Sequence, residues 1–177
     1  MRKCVTQRRI GGDRTANRFC QGREGETWQV PAFVTPPLDL SAWVSRETLL
    51  DWIREELASV EHEQLASRST LFMLLSFAYA IGLFDSDEVA RACHADPFLA
   101  QLCTNERNVP WAQEVREFRR KNRGALIPIL KRLLIRAAEE HFGLETGDLP
   151  EHWEHQLEEE AIERLDIARH MDVSMTE

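Results

Sequence analysis

"LFMLLSFAYAIGLF", residues 71–84, decides the fold. It is the longest apolar run in the chain, and it is shorter than the roughly 20 residues a helix needs to cross a bilayer. Ser76 and Gly82 interrupt it. A stretch this apolar on every side reads as a central helix buried within a water-soluble protein. The segments around it must then be helices with one apolar face each. Upstream, Ser45 stands as an N-cap, and Leu49, Ile53, Leu57 and Val60 follow at helical spacing, which predicts a helix near 46–66.

Downstream the same signals recur. Ser86 is placed to cap a short helix with Asp87 and Glu88 in its first turn, where the helix dipole favours acids. Asp96 and Pro97 repeat the device as N-cap and first helical residue. A fifth helix begins near Pro110 and buries Trp111, Val115 and Phe118. A sixth uses Leu126, Leu130, Leu133, Leu134 and Ala137, and Pro128 must lie in its first turn or kink it. The last starts at "DLPEHW", with Asp148 as cap and Glu151 three residues on, and buries Trp153, Leu157, Ala161, Leu165 and Ala168. No alternating run or hairpin signal predicts a strand. The expectation is an all-α domain of six to seven helices. Three regions follow: an extended or disordered leader over 1–44, a helical domain over 45–142, and an acidic C-terminal helix over 143–177.

The chain carries 22 basic and 30 acidic side chains, a formal net charge of -8, yet the charge is not evenly spread. Residues 105–138 hold nine basic and three acidic side chains, whereas residues 139–177 hold two basic and thirteen acidic. Such asymmetry bears on partners rather than on fold. No apolar leader of the signal-peptide kind opens the sequence, and Cys4, Cys20, Cys93 and Cys103 show neither a CxxC pair nor zinc spacing. Reduced thiols in a cytoplasmic protein are the expectation.

The basic segment centres on "EFRRKNR", residues 117–123. On a helical wheel with Trp111 at the origin, Val115 and Phe118 share the buried stripe. Arg116, Arg119, Arg120 and Arg123 share one arc that holds no carboxylate. Glu117 and Lys121 form an i,i+4 pair on the opposite flank. An arc of guanidinium groups suits phosphate, which it grips bidentately; Lys131 and Arg132 are further candidate contacts. The competing reading is that these cations meet carboxylates of neighbouring helices, or only water. The acidic tail, paired antiparallel with the basic helix across a turn at 143–148, would supply the carboxylates.

Other constellations carry less. In "EHWEHQLEEE", residues 151–160, His155 and Glu159 stand at i,i+4 with His152 nearby, but no second helix offers Glu-x-x-His to complete a carboxylate metal site. A solvated acidic helix explains them. Cys93 and His94 adjoin in sequence and so point about 100° apart on a helix, which suits a core thiol rather than a nucleophile and its base. No Gly-rich phosphate loop is present. No metal, cofactor or small-molecule substrate is expected.

The segment "LLSFAYAIGLFDSDEVARACHADPFLAQLC" resembles the N-terminal helical domain of bacterial insertion-sequence DDE transposases. The matching residues are Leu74, Leu75, Tyr79, Ala80 and Gly82; then Ser86, Val89, Ala90, Arg91 and Ala92; then Asp96, Phe98 and Leu102. Pro110 and the run from Phe118 to Asn122 follow in the family's order. The turn before the FRR helix departs from the family's P-D-H-x-T-I, reading "VPWAQEV" here, and no strand-rich nuclease segment follows residue 142. The resemblance therefore implies a non-catalytic DNA-binding or assembly module, a truncated or repurposed transposase fragment. Double-stranded DNA is its expected partner, self-association is open, and no membrane is involved. The alternative is a helical protein-interaction protein whose basic face binds an acidic partner or its own acidic tail.

Overall fold

The computed structural model describes residues 4–5, 19–21, 27–29, 33–59, 69–103 and 109–174. The chain divides into two units, 1–35 and 36–177. The first holds three short antiparallel strands, β1 (Cys4–Val5), β2 (Phe19–Gln21) and β3 (Thr27–Gln29), ordered β1-β2-β3. Val5 pairs with Phe19, and Cys20 pairs with Trp28. These strands lie in the leader, before the helical domain, which has no strand among its described residues, and the all-α fold class stands. They are too short for any periodicity to announce them.

The second unit is helical among its described residues. It comprises α1 (Arg46–Ser59), α2 (Ser69–Ala80), α3 (Ser86–Ala95), α4 (Pro97–Cys103), α5 (Ala112–Phe142) and α6 (Glu151–Ser174). The opening stretch behaves as its composition demands: Leu74, Leu75, Phe77, Ala78, Tyr79 and Ala80 of α2 are all fully buried. The other helices cover it. Leu49 and Ile53 face inward from α1, Val89 and Cys93 from α3, Leu99 from α4, and Trp153, Leu157, Ala161, Leu165 and Ala168 from α6. Val60 and the expected extension of α1 lie outside the described residues, as do the thiol groups of Cys4 and Cys20.

The helix ends follow local chemistry. Ser45 Oγ accepts from Thr48 N–H at 3.1 Å, the expected cap. Asp96 accepts from Phe98 N–H at 2.8 Å, also as expected. Ser86 is instead the first helical residue of α3, and Asp85 is its N-cap, accepting from Glu88 N–H at 2.8 Å. The last helix begins at Glu151, three residues past the cap expected at Asp148. Gly82 closes α2 with φ 77°, Leu83 N–H reaching Ala78 O at 2.8 Å and Gly82 N–H reaching Tyr79 O at 3.4 Å. Gly143 closes α5 in the same way, with φ 63° and Leu144 N–H on Glu139 O at 2.8 Å. A side chain at Gly82 would need a disfavoured backbone and would approach Leu38 to 3.0 Å.

Two expectations are revised in α5. The fifth and sixth helices are one hydrogen-bonded run, with Asn122 (φ -116°, ψ 15°) as the break between them. The Asn122 side-chain amide donates to Phe118 O at 2.8 Å, a local substitute for regular helix bonding that marks the kink. Pro128 follows inside the helix, six residues beyond that break. Trp111 is not core: it precedes the helix in extended conformation and is 76% exposed. Its backbone N–H donates to Glu114 Oε2 at 2.9 Å, which fixes the helix start without burying the indole. Val115 and Phe118 are buried as expected.

The segment before α1 belongs to this unit. Leu40 is fully buried in a short 3-10 turn, Leu40–Ala42, and Val44 is buried as well. Arg164 explains how the segment is held. It is 1% exposed, and it donates to Pro37 O at 2.7 Å, Leu38 O at 3.0 Å, Tyr79 O at 2.8 Å and Ala80 O at 3.2 Å. One guanidinium of α6 thus satisfies the last carbonyls of α2 and ties down residues 37–38, which makes residue 44 too late a boundary for the leader.

Candidate functional site

The basic half of α5 lies against the acidic α6, and the two run antiparallel. Lys131 meets Glu158 at 2.8 Å, Arg123 meets Asp166 at 3.1 Å, and Arg119 meets Asp172. Sequence position rises along one helix as it falls along the other. The pairing follows from burial of the Trp153, Leu157, Ala161, Leu165 stripe on the Leu126, Leu130, Leu133 stripe. Charges flanking the two apolar seams then face each other.

The six expected phosphate contacts are placed as follows. Arg119 is buried, its side chain 7% exposed, and it binds Asp172 while also donating to Tyr79 Oη at 3.3 Å and Ser86 Oγ at 3.4 Å. This corrects the expectation of a surface arginine. Its position borders the Val115–Phe118 stripe, and the C-terminal turn of α6 covers that border. Arg116 pairs with Asp87 of α3 and lies 3.6 Å from Asp172. Arg123 pairs with Asp166, Lys131 with Glu158, and Arg132 with Glu56 at 2.6 Å. Arg120 alone of the six is exposed with no ion pair among the described residues. Lys121 meets Glu117 at 3.6 Å on the far flank, as expected.

The α5–α6 seam opens into a cleft of about 460 Å³. Arg116, Arg119, Arg120 and Arg123 line one side together with Glu117, a carboxylate expected on the opposite flank, and Leu165, Arg169, Asp172 and Val173 line the other. The expected arc therefore does converge on one concavity. Its size falls within the range of ligand-binding pockets, roughly 300–1,000 Å³. Arg169 is the member that wheel geometry missed; its side chain is 65% exposed, with Asp166 3.8 Å away. The signal that finds it is the antiparallel register itself, since Arg169 falls between Asp166 and Asp172, both partners of α5 arginines.

Deep in the cleft, Asp172 faces four donors, three of which bond it. Ser86 N–H reaches Oδ1 at 3.2 Å, Ser86 Oγ–H reaches Oδ2 at 3.0 Å, Arg119 Nη2 bonds Oδ2, and Arg116 Nε stands 3.6 Å from Oδ1. Arg116 Nε is buried and has no hydrogen-bond acceptor. Burial pushes the Tyr79 phenol above its ordinary value, and the Arg119 charge opposes the shift.

The remaining chemistry-bearing residues do not form a site. His155 Nε2 lies 3.4 Å from Glu159 on an exposed face of α6. Among the described residues no group of three or more histidine, cysteine, aspartate or glutamate side chains is arranged to hold a metal ion. Cys93 and Cys103 are buried free thiols. The hydrogen bond between them, and then burial, push the Cys93 thiol well up, away from thiolate. No described helix is long and apolar enough to cross a membrane. No family model, curated protein or solved structure matches the chain.

Proposed function

We propose that this chain is a non-catalytic helical interaction protein whose α5–α6 cleft takes an acidic segment of a partner protein. One observation carries the reading: a single concavity collects Arg116, Arg119, Arg120, Arg123 and Arg169 beside the apolar side chains of Leu165 and Val173. Carboxylates on a partner segment satisfy the outward guanidinium groups of Arg120 and Arg169, and its apolar side chains cover Val173. Val173 is 62% exposed and Met171 is 41% exposed, which gives apolar contact area at the rim. The resemblance to transposase N-terminal domains read from the sequence would fit an assembly role. Arg116, Arg119, Arg123, Lys131 and Arg132 already hold carboxylates of this chain, which leaves Arg120 and the largely exposed Arg169 to meet an incoming anion, a smaller set of cations than the several phosphate contacts of a duplex use. The buried thiols Cys93 and Cys103 suit a reducing compartment such as the cytoplasm.

Fluorescence anisotropy at low and high salt, with a labelled acidic amphipathic peptide and a labelled random duplex, tests the reading. The peptide is expected to bind in a salt-sensitive manner. Arg120→Ala and Arg169→Ala should each weaken it about tenfold, roughly 1.4 kcal/mol, while Lys121→Ala should leave it unchanged. Duplex binding without peptide binding, with the salt dependence flattened by roughly one unit per lost arginine, would transfer the site to DNA. Binding of neither would remove the cleft as a polyanion surface.

A further inference from the structure

Asp172 occupies a cradle that offers one more donor than its two oxygens bond. Its two oxygens face four donors: the Ser86 N–H and hydroxyl, the Arg119 guanidinium, and Arg116 Nε. Three of these come within hydrogen-bond reach, whereas Arg116 Nε remains buried without an acceptor. The Ser86 N–H belongs to the first turn of the ten-residue α3, where the helix dipole and the free amides favour negative charge. Two guanidinium groups, a hydroxyl and a helix-terminal amide form a donor set suited to a phosphoryl group, and a third oxygen would reach the donor that Asp172 leaves idle.

The hold on Asp172 is polar rather than apolar. Asp172 lies two residues before the end of α6, and Ala168 is the last buried apolar residue of that helix. Met171 and Val173 on either side are exposed. Unwinding the final turn therefore exposes little new apolar surface, and the polar contacts of Asp172 are what hold it. When Asp172 leaves, Arg119 loses its carboxylate and Arg116 keeps only Asp87, and both arginines line the cleft already.

We propose that the Asp172 cradle is a binding site for a phosphate monoester dianion, with Asp172 as an internal competitor that swings out when the ligand's phosphoryl group enters. The inference rests on the reading of the cleft as an acid-binding surface and sharpens it. The favoured partner segment carries a phosphorylated side chain, and the last turn of α6 is an autoinhibitory latch.

The test uses the full-length chain and does not depend on any partner peptide. Melting temperatures of wild type, Asp172→Asn and Asp172→Ala are compared in inorganic phosphate and in chloride of matched ionic strength. Both variants should melt below wild type in chloride. Phosphate should restore them saturably, with a smaller effect on wild type, and adding Arg116→Gln to Asp172→Asn should erase the rescue. Equal shifts in phosphate and chloride, or rescue that survives Arg116→Gln, would overturn the site. If a variant is unfolded in chloride, refolding on addition of phosphate supports the site, and failure to refold counts against it. A phosphoserine peptide and its serine counterpart then separate the sources. Tighter binding of the phosphopeptide, strengthened about tenfold or more by Asp172→Asn, identifies a phosphorylated segment. Equal binding of the two peptides with intact rescue by inorganic phosphate limits the site to free phosphate. Failure of both peptides with intact rescue by inorganic phosphate leaves the site standing and removes only the acidic-segment reading.

Discussion

Replacing Arg164 by methionine should be among the most damaging single changes in the helical unit. The guanidinium is almost fully buried and donates to four backbone carbonyls and to Glu160 Oε1 at 2.8 Å. Methionine fills similar volume and supplies no donor. The Ala80 carbonyl lies in the buried part of the network, at the end of a helix that has no further amide to offer it, and the Tyr79 carbonyl would keep only the long 3.4 Å bond from Gly82 N–H. Each buried orphan carbonyl costs about 1–3 kcal/mol. The Pro37 and Leu38 carbonyls and Glu160 are part-exposed and regain water, so they add less. The net expectation is about 3–4 kcal/mol, in line with the cost of removing one partner from a buried ionic network. For a unit of this size that corresponds to a fall in melting temperature of about 10 °C. Arg164→Lys keeps the charge but not the forked donors, and should lose about half as much. Glu160→Gln leaves the four carbonyls bonded and should cost under about 1 kcal/mol, since that pair is partly exposed. The assay is thermal and urea unfolding followed by circular dichroism. A loss below about 1 kcal/mol for the methionine variant, or an equal loss for Glu160→Gln, would refute the assignment of Arg164 as the clamp on these carbonyls.

Two further outcomes are expected. Gly124 is exposed and helical, and a Cβ there would meet nothing within 4 Å, so Gly124→Ala should raise stability by about 0.5–1 kcal/mol in the same unfolding assay. Arg46 bonds Asp96 at 2.8 Å and holds its carboxyl below the ordinary range, so this contribution is complete above the unfolded carboxylate value and fades as pH falls through the lower folded one. Arg46→Gln should therefore lower the melting temperature at neutral pH, with the gap to wild type narrowing below about pH 4; a gap that widens on acidification would contradict the pairing.

Helix identity in the 36–177 unit was legible from periodicity, because an apolar stripe at 3.6-residue spacing has one economical use: burial against another helix. The all-apolar stretch 71–84 could only be the centre, and the stripes of α5 and α6 named their own core residues down to Ala168. Capping was legible where the side chain acts on its own helix, as at Ser45 and Asp96. The convergence of Arg116, Arg119, Arg120 and Arg123 was also legible, since it follows from the pitch of one helix. What tertiary structure alone decided was what those charges meet. A wheel fixes the angle of Arg119 but not whether α6 covers that angle, so an arginine drawn on the surface became a buried partner of Asp172, 53 residues away. Trp111 went the other way, from the expected core to solvent, because the helix starts at Ala112, two residues past Pro110, and the chain before it is extended. Arg164 sits among the acidic residues of α6 and reads there as an i,i+4 partner of Glu160. Only when α2 and residues 37–38 arrive do four carbonyls make it the clamp of the fold. Local sequence sets which face a side chain occupies, whereas the partner of a buried charge is set by contacts between segments distant in the chain, and those exist only after the helices have packed.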